Sequence, residues 1–331
     1  MILKKIKKSK KCFIVAEIGN NHEGNFNYAL KLIDKAKAAN VDAVKFQTFI
    51  PDFFISSGYS NDRFKRYQKL ALSFDEFEKL SNYCKRKKII FFSTPLDIKS
   101  AKFLNKIQKI FKIASFDLNY FELLKVVSGF QKDLIISTGF SDINKIKKAK
   151  RIINQNLKDE KLAILHCISS YPANELNLKA INLLARSFQR NIIGYSDHSK
   201  GYDASLISVA LGAKIIEKHF TLDNKFSSFR DHSLSLNPKD MKLFVSKIRL
   251  YENLLGTEIK QILNEEKINK KIAIRGVYAL RDLKKNEILN YKKLYFARPS
   301  GSLTPDFLDK KIIKLRRNIS KNKKIQKKDI F

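Results

Sequence analysis

The sequence lacks tryptophan and has few cysteines, prolines and methionines. Its 331 residues include three cysteines, six prolines, eleven glycines and two methionines. Three distant cysteines without a CxxC pair argue against a disulfide framework, and so little proline and glycine excludes a collagen-like or low-complexity chain. No apolar run approaches the roughly 20 residues that a membrane-spanning helix needs. We therefore expect a globular cytoplasmic protein with buried, reduced thiols and no membrane partner.

Acidic residues are also scarce. The chain has 66 lysines and arginines against 32 aspartates and glutamates, a formal net charge of +34. Such a surplus is compatible with nucleic-acid binding, but the lysines are spread along the whole chain. No RNP signature, zinc finger or basic helix accompanies them. We expect no specific nucleic-acid partner and interpret the charge as a solvated surface that helps to attract anionic substrates.

The N-terminal stretch MILKKIKKSKKCFIVAEIG combines a basic start with an apolar patch, as a signal peptide does. The patch is too short for a signal peptide and reaches Glu17 almost at once. The sequence therefore predicts a strand that follows a basic tail.

Apolar runs then alternate with amphipathic, helix-like segments. Near-continuous apolar strands separated by helices are typical of a parallel sheet covered on both faces. Eight such units favour a (β/α)₈ TIM barrel of the α/β class over an open Rossmann sheet, and neither a GxGxxG turn nor a GxxxxGK[ST] loop is present. The predicted strands are residues 12–18, 42–48, 89–94, 110–115, 134–138, 162–167, 191–196 and 213–220.

The alternation ends after a helix-like segment at 238–256. Residues 257–271 are polar and predict a linker. From Ile272 onward, short apolar runs carry turn residues without helix–strand alternation. The predicted organisation is a barrel domain at 1–256, a linker at 257–271 and a small domain at 272–331.

Polar side chains collect at the carboxyl ends of the predicted strands, where such barrels build their active sites. Every strand contributes at least one of them. Stability alone does not explain polar groups at the same end of all eight strands, so we predict a catalytic or binding site there. In chain order the candidates are Glu17, Lys45, Gln47, Thr94, Lys112, Ser115, Asp117, Ser137, Ser169, Tyr171, Ser196, His198, Glu217 and His219.

Two histidines, His198 and His219, end adjacent strands. Such imidazoles can share one divalent ion and leave positions for water and substrate oxygens; a hydrogen-bonded structural pair is the alternative. His166 follows an apolar run and is interpreted as a packed core histidine. His232, in a polar loop after the last strand, is left open as a surface residue.

Lys45 and Lys112 lie inside otherwise apolar strands. Because lysine is almost never buried without a partner, each is predicted to face the barrel mouth and an anion. A salt bridge from one of them to Glu17 or Glu217 is the alternative. With the serine hydroxyls nearby, the site suits a phosphate and a carboxylate together.

A set of ordered motifs resembles the sialic acid synthase family. The motifs are FIVAEIGNNHEGNFNYALKLIDKAKAANVDAVKFQTF, FFSTPLD, FKIAS, LIISTG, LHCISSYP, IGYSDHSKG and EKHFTLD. The tail, with ARPSG at 297–301, resembles that family's C-terminal antifreeze-like (SAF) domain. The resemblance implies a transferase that condenses phosphoenolpyruvate with an N-acylmannosamine-type aldose and water. The products are a nine-carbon 2-keto-3-deoxy acid and phosphate.

The resemblance also implies roles for individual residues. His198 and His219 would hold a divalent ion, typically manganese, with magnesium or cobalt as alternatives. Glu217 would support this metal site, and Asp117, where the family often has glutamate, would handle the water proton. Arg298 would reach into the partner's barrel in a domain-swapped homodimer. Phosphoenolpyruvate would be bound by Lys45, Lys112, Ser115, Ser137, Tyr171 and Ser196 with Thr94 nearby, and the sugar by Glu17, Gln47 and Asp231.

Several positions depart from the family pattern. ASFD replaces a glycine-containing GSGE type, FRDHS replaces a GPD pattern, and Ser169 stands where some members have asparagine. The sugar therefore stays open among N-acetylmannosamine, a 2,4-diacetamido-6-deoxymannose and the altrose-type precursor of pseudaminic acid.

Two alternative functions remain. The first is another phosphoenolpyruvate condensation on the same barrel with a phosphorylated aldose, which would not need the C-terminal module. The second is a non-catalytic carbohydrate-binding or ice-binding protein, against which the polar strand ends argue.

Overall fold

The computed structural model describes residues 1–56, 58, 60–309 and 312–331. The chain forms two compact units, Met1–Gly256 and Thr257–Phe331. The first unit ends at the residue where the predicted barrel domain ends. Among the described residues, none of the helices combines the length and the hydrophobicity needed to cross a membrane.

The first unit is an α/β barrel, as predicted. In its described part, eight parallel strands follow the order β3-β2-β1-β8-β7-β6-β5-β4, and the two end strands of this order, β3 and β4, lie against each other. The side chain of Gln108 joins them by accepting from the backbone N–H of Ser93 at 2.7 Å and donating to its carbonyl at 3.1 Å. The strands are β1 Phe13–Gly19, β2 Ala43–Thr48, β3 Ile90–Pro95, β4 Ile110–Ile113, β5 Asp133–Ser137, β6 Leu162–Cys167, β7 Ile192–Asp197 and β8 Ile215–His219.

Strand alternation creates two apolar layers. Because successive side chains point to opposite faces, Phe13 and Val15 enter the barrel interior, whereas Ile14 and Ala16 pack outward under the helices. The interior cluster is apolar in the lower half of the barrel, and Ile215 belongs to it. By the same alternation, Glu17 follows Val15 and Glu217 follows Ile215 on the inner face of the barrel. Polar side chains therefore begin where the apolar interior cluster ends.

The helices cover the outer face of the sheet, and local capping signals set where several of them begin. Ser73 and Glu76 form a capping box at α5, and Asp97 accepts the backbone N–H of Ser100 at α6. The helices are α1 Ile2–Lys8, α2 Phe26–Ala38, α3 Pro51–Phe54, α4 Asn61–Leu70, α5 Phe74–Lys87, α6 Ile98–Ile107, α7 Phe121–Gly129, α8 Ile143–Ile153, α9 Ala180–Ser187, α10 Asp203–Ala210, α11 Arg230–Leu234 and α12 Pro238–Leu255.

The predicted basic tail is wrong, because residues 2–8 form the helix α1. Leu3 and Ile6 lie one turn apart on its buried face and join the interior cluster of the barrel. The backbone N–H of Leu3 donates to Asp133 at 3.0 Å. The lysines of α1 face solvent, so the helix closes the lower end of the barrel while its charge stays hydrated.

The second unit is small and contains antiparallel strands. A helix, α13 Asn264–Ala273, occupies much of the predicted linker. In the described part of the unit, three strands pair in the order β10-β9-β11, with bounds Gly276–Ala279 for β9, Leu294–Ala297 for β10 and Lys324–Ile325 for β11. This arrangement is consistent with an antifreeze-like domain.

Candidate active site at the carboxyl end of the barrel

The predicted site residues of the first unit lie at the carboxyl ends of its strands or in the loops that follow. Lys45, Lys112, Ser196 and Glu217 are buried inside the barrel. Asp117 lies after β4 in a 3₁₀ turn, Ser115–Asp117, rather than on the strand itself. The strand ends thus bring residues from distant parts of the sequence to one place.

The floor of the site is a buried cluster of two carboxylates and two lysines. Lys45 Nζ lies 2.7 Å from Glu17 Oε2 and 3.7 Å from Glu217 Oε1, and Lys112 Nζ lies 3.3 Å from Glu217 Oε1. Thr94 accepts from Lys45 at 3.2 Å, and Ser196 donates to Glu217 at 2.9 Å. Both lysines therefore have salt-bridge partners, whereas the sequence suggested such a partner for one lysine at most.

Burial and neighbouring charges shift the pKa values of the charged groups in this floor in different directions. Burial lifts the pKa of Glu17 to about 7, because the attraction of Lys45 only partly offsets it. Glu217 is equally desolvated, but Lys112 and Lys45 together lower its pKa to about 2. Burial also outweighs Glu217 at Lys112 and lowers that lysine's pKa. Glu217 is the fixed negative charge of the floor, and Glu17 is the member that can take a proton near neutral pH.

Glu217 was predicted to support the metal site, and its contacts differ from that expectation. Its carboxylate is engaged by the two lysines and Ser196. The adjacent strands β7 and β8 place Glu217 opposite Ser196 in the register. Glu217 is therefore positioned to orient the two lysines rather than to contact a metal ligand.

His198 and His219 lie side by side above the lysine floor, with ring centroids 5.3 Å apart. The ring of Tyr171 stacks on His198 at 4.1 Å. His198 Nδ1 lies 2.8 Å from the carbonyl oxygen of Ile168. Since a carbonyl only accepts, Nδ1 of the neutral ring carries the proton and Nε2 is left with the free lone pair.

The two imidazoles fit the requirements of a shared divalent ion. Nδ1 of His219 is buried and has no hydrogen-bond partner among the described residues. Burial, with repulsion from nearby lysines that include Lys45, lowers the pKa of His219 well below its usual range, so this ring is neutral and able to bind metal. Within the described residues no group of three or more His, Cys, Asp or Glu side chains could hold a metal. An ion here would therefore take its other ligands from water or substrate.

The residues expected to bind the sugar lie beside Glu17 and the histidines. Gln47 donates weakly to Glu17 at 3.4 Å and accepts from Asn20 at 2.9 Å. Asp231 Oδ2 lies 3.9 Å from His219 Nδ1, and burial raises the pKa of Asp231. These groups offer hydrogen-bond donors and acceptors on one side of the metal position.

Ser115 and Ser169 both lie close to Gly139. Ser115 accepts the backbone N–H of Gly139 at 3.0 Å. A Cβ at position 139 would lie 2.1 Å from Ser169 Oγ, so this close approach requires glycine. The hydroxyls of Ser137 and Ser169 are buried without a partner among the described residues, and so is Oδ2 of Asp117. Buried hydroxyls without a protein partner suit hydrogen bonding to a polar ligand.

An aromatic cavity of about 480 Å³ opens over this ring of polar groups. Burial in its wall raises the pKa of Asp117 to about 7. The guanidinium of Arg230 lies 4.5 Å from the Tyr171 ring. Other lining residues include Phe54, Arg63, Phe116, Phe140 and Ser169. The mouth cavity, as we name it, is the approach to the polar floor.

His232 is fully buried, which excludes the surface position that the sequence left open. Its Nδ1 lies 2.6 Å from Thr221 Oγ1, and its Nε2 lies 3.1 Å from Glu23. It joins the loop after β8 to the loop after β1 and follows Asp231 directly in the chain. Sequence reasoning missed this clamp and the arginines of the mouth. In the sequence, the replacement of the family's GPD pattern by FRDHS was the only feature that pointed to Arg230 and His232.

His166 faces the outside of the barrel, in agreement with its interpretation as a core residue. Its Nε2 lies 2.8 Å from the carbonyl of Leu176, and its ring stacks on Tyr195 at 5.7 Å. The three cysteines are free and buried, as predicted.

Arg298 belongs to the second unit, where it is exposed. Its Nε donates to the carbonyl of Ala273 in the same unit. Its predicted action in a partner's barrel stays a prediction.

Comparisons with known proteins agree with the sequence resemblance. Residues 32–260 match the model of the NeuB family. The chain is 37% identical over 311 residues to the N,N'-diacetyllegionaminic acid synthase of Campylobacter jejuni, covering 89% of this chain and 92% of that one. It is 34% identical over 313 residues to a pseudaminic acid synthase of Campylobacter jejuni, covering 90% of each chain.

A solved structure is also similar. It is the N-acetylneuraminic acid (sialic acid) synthetase of Leptospira borgpetersenii in complex with citrate, with a TM-score of 0.74 and 34% identity. The match covers 78% of this chain and 90% of that one. The predicted resemblance is thereby confirmed: the chain belongs to the sialic acid synthase (NeuB) family.

Proposed function

We propose that this protein condenses phosphoenolpyruvate with an N-acylated mannosamine-type aldose and water, giving a nine-carbon 2-keto-3-deoxy sugar acid and phosphate. The observation that carries the proposal is the combination of two buried lysines and two adjacent histidines at one barrel mouth. Unpaired hydroxyls of Ser137 and Ser169 supply further contacts for a polar ligand. The reaction is placed in the cytoplasm, a location supported by the free cysteines.

Substrate binding follows from the charges. Lys45 and Lys112 would hold the phosphate and carboxylate of phosphoenolpyruvate, aided by Ser115, Ser137, Tyr171 and Ser196. Fixed donors around both anionic groups supply proximity and charge stabilisation. Glu17, Gln47 and Asp231 would orient the sugar so that its aldehyde carbon faces carbon 3 of the enol.

His198 and His219 would hold the divalent ion, for which manganese is proposed. When bound, the ion polarises the aldehyde oxygen as a Lewis acid. Because Asp231 lies beside His219, it is placed to orient a sugar hydroxyl next to that oxygen.

Asp117 would take the proton of the attacking water. The enol electrons form the new bond to the aldehyde carbon, whose oxygen takes up a proton as its π bond breaks, and carbon 2 is left electron-deficient. The water oxygen bonds to carbon 2 and loses its proton to Asp117. Phosphate then leaves carbon 2 as the ketone forms. With a pKa of about 7, Asp117 is ionised above neutral pH and then able to act as a base.

The test of the function is a turnover screen. The protein is incubated with phosphoenolpyruvate, manganese and each of three acceptors: N-acetylmannosamine, a 2,4-diacetamido-6-deoxymannose and the altrose-type sugar. Phosphate release and a nine-carbon keto acid are measured. Release that depends on one acceptor is expected; no release with any of them, under conditions where the protein is folded and metal-loaded, would reject the proposal.

The role of Asp117 predicts a pH dependence. Turnover should rise as pH increases through about 7, because the pKa of Asp117 lies there. Asp117→Asn should lower turnover by about 100-fold and abolish this rise of turnover with pH. Glu17→Gln is the matched control, since the pKa of Glu17 is also about 7. If turnover no longer rises with pH in Glu17→Gln but still does so in Asp117→Asn, Glu17 is the base.

We further propose that two copies assemble and that Arg298 acts in the partner's barrel. In the second unit, Ile259, Ile268 and Ile272 are 68%, 78% and 69% exposed, which is unusual for three isoleucines close in sequence. Burial of this apolar surface against another copy would stabilise a dimer.

Mixing two inactive variants tests this assembly. His219→Ala and Arg298→Ala should each be inactive alone, and a mixed dimer should recover activity because it pairs one intact barrel with one intact arginine. Differently tagged chains that co-purify establish subunit exchange. Mixed dimers without activity would show that Arg298 does not act in the partner.

A further inference from the structure

A second cavity of about 530 Å³ lies beside the mouth cavity, between α4 and residues 228–230. The two cavities share Arg63, Tyr67 and Arg230 in their linings. A ligand in the outer cavity therefore lies next to the approach to Asp117 and Ser169. None of the residues predicted to form the site lines this outer cavity.

Three arginines surround the outer cavity. Arg63 and Arg66 are three positions apart on α4 and so share a face, and Arg230 comes from the opposite wall. The guanidinium of Arg66 lies 5.1 Å from the ring of Phe229, and that of Arg63 lies 6.0 Å from the ring of Tyr67. Stacking on a ring orients a planar guanidinium and leaves its in-plane N–H donors available.

The charges of these arginines are not balanced locally. Within the described residues, neither Arg63 nor Arg66 forms an ion pair, while Arg230 lies 3.4 Å from Asp231. Asp62 is the acidic residue in the described lining of this cavity. The three arginines therefore exceed Asp62 and Asp231 by about one positive charge, in a concave site where field lines are focused.

The buried floor of the barrel differs from the arginine cavity in its charge balance. There, Lys45 and Lys112 face Glu17 and Glu217, so the four charges sum to zero when Glu17 is ionised and to one positive charge when it is protonated. A balanced cluster exerts little attraction on a distant anion. The arginine cavity adds a concentrated positive field at the mouth to the general positive charge of the protein surface.

We propose that Arg63, Arg66 and Arg230 form a phosphate-binding subsite at the mouth of the barrel. The inference rests on the proposed function, since that reaction supplies the anion. The paired N–H groups of arginine match the oxygens of a phosphate. The phosphate belongs either to phosphoenolpyruvate on its way to the floor or to the far end of a phosphorylated acceptor sugar.

The test compares the wild type with Arg63→Gln/Arg66→Gln at low and high ionic strength. For capture of phosphoenolpyruvate, kcat/KM should fall about 10-fold at low salt with kcat little changed, and the difference should shrink at high salt. Lys31→Gln/Lys35→Gln removes two exposed charges from α2 and should change neither value. Arg66→Lys keeps the charge but loses the paired N–H groups, so its kcat/KM should lie between those of the wild type and of the double variant.

A second arm varies the acceptor. If the cavity holds an acceptor phosphate, the wild type should prefer N-acetylmannosamine 6-phosphate over unphosphorylated N-acetylmannosamine, and Arg63→Gln/Arg66→Gln should lose that preference. A change in either arm supports the subsite and identifies the source of the phosphate.

Titration with inorganic phosphate, followed by ³¹P NMR, gives a readout that does not require turnover. The wild type should bind phosphate several-fold more tightly than Arg63→Gln/Arg66→Gln. If phosphate affinity and both kinetic arms are the same in the two proteins, the subsite does not exist. If the wild type shows no turnover but the titration difference holds, the proposed function fails and the anion site stands.

Discussion

Replacement of His198 or His219 by alanine should abolish turnover while the barrel stays folded. The two rings lie 5.3 Å apart and would be the protein's ligands to the ion, so one ring alone cannot hold it. A bound ion supplies several kcal/mol of transition-state stabilisation, and each 1.36 kcal/mol is a factor of ten in rate. We expect a loss of about 1,000-fold or more for each variant, measured as phosphate release at saturating manganese.

The controls separate metal loss from unfolding. Chelator should abolish wild-type turnover, added manganese should restore it, and Mn²⁺ binding followed by electron paramagnetic resonance should be lost in both variants. His166→Ala is the matched control, because His166 lies on the outer face of β6 and contacts the carbonyl of Leu176 instead. It should keep metal binding. Full activity in thoroughly metal-stripped protein would overturn the assignment.

Lys45→Met should lower both the stability and the affinity for phosphoenolpyruvate. The substitution leaves Glu17 buried without the ammonium that lies 2.7 Å from it, and removal of one partner of a buried pair costs about 3–5 kcal/mol. Loss of the charge-assisted contact to substrate should raise the phosphoenolpyruvate KM roughly 10- to 100-fold. Denaturant unfolding and steady-state kinetics measure the two effects.

The stability deficit of Lys45→Met should depend on pH. The pKa of Glu17 is already raised to about 7 with Lys45 present, because of burial, and removal of Lys45 raises it further. A carboxyl with a raised folded-state pKa stabilises the fold while it is protonated, and that contribution is lost as pH rises through the folded-state pKa. The deficit should therefore be larger at pH 9 than at pH 6.

Two companion variants separate stability from anion binding. Lys45→Met/Glu17→Gln should recover much of the stability, because no buried charge is left unpaired, but not the affinity for phosphoenolpyruvate. Lys218→Met removes an equally buried lysine that pairs with Asp197 at 3.2 Å on the outer face of β8. It should lose stability with an unchanged phosphoenolpyruvate KM. A changed sugar KM in Lys45→Met, with the phosphoenolpyruvate KM unaffected, would reverse the assignment of the two subsites.

Local sequence determined the barrel and the composition of its site. Apolar runs of five to seven residues separated by helices specify parallel strands by their period, so the predicted strands agree with β1 to β8 to within about two residues at most ends. The same period of two carries Lys45, Gln47 and His219 to the inner face. Because all parallel strands of a barrel end at one rim, a list of strand ends was enough to collect these residues.

Helix α1 was missed because its pattern is short and mostly charged. Two apolar residues in a lysine-rich stretch, Leu3 and Ile6, become core only when the lower end of the barrel needs a cover. His232 was missed for the same kind of reason. Its burial depends on Thr221 and on Glu23, which lies 209 positions away in the sequence.

The sequence by itself determined which strand-end residues meet at the carboxyl end of the barrel, since strand periodicity decides which side chains face inward. The tertiary structure alone decided how their charges are shared. Lys45 and Lys112 are matched by Glu17 and Glu217 on the floor, whereas Arg63 and Arg66 at the rim have no carboxylate partner among the described residues. Coulomb energies depend on distances of a few ångströms and on burial, and neither quantity is local in the sequence.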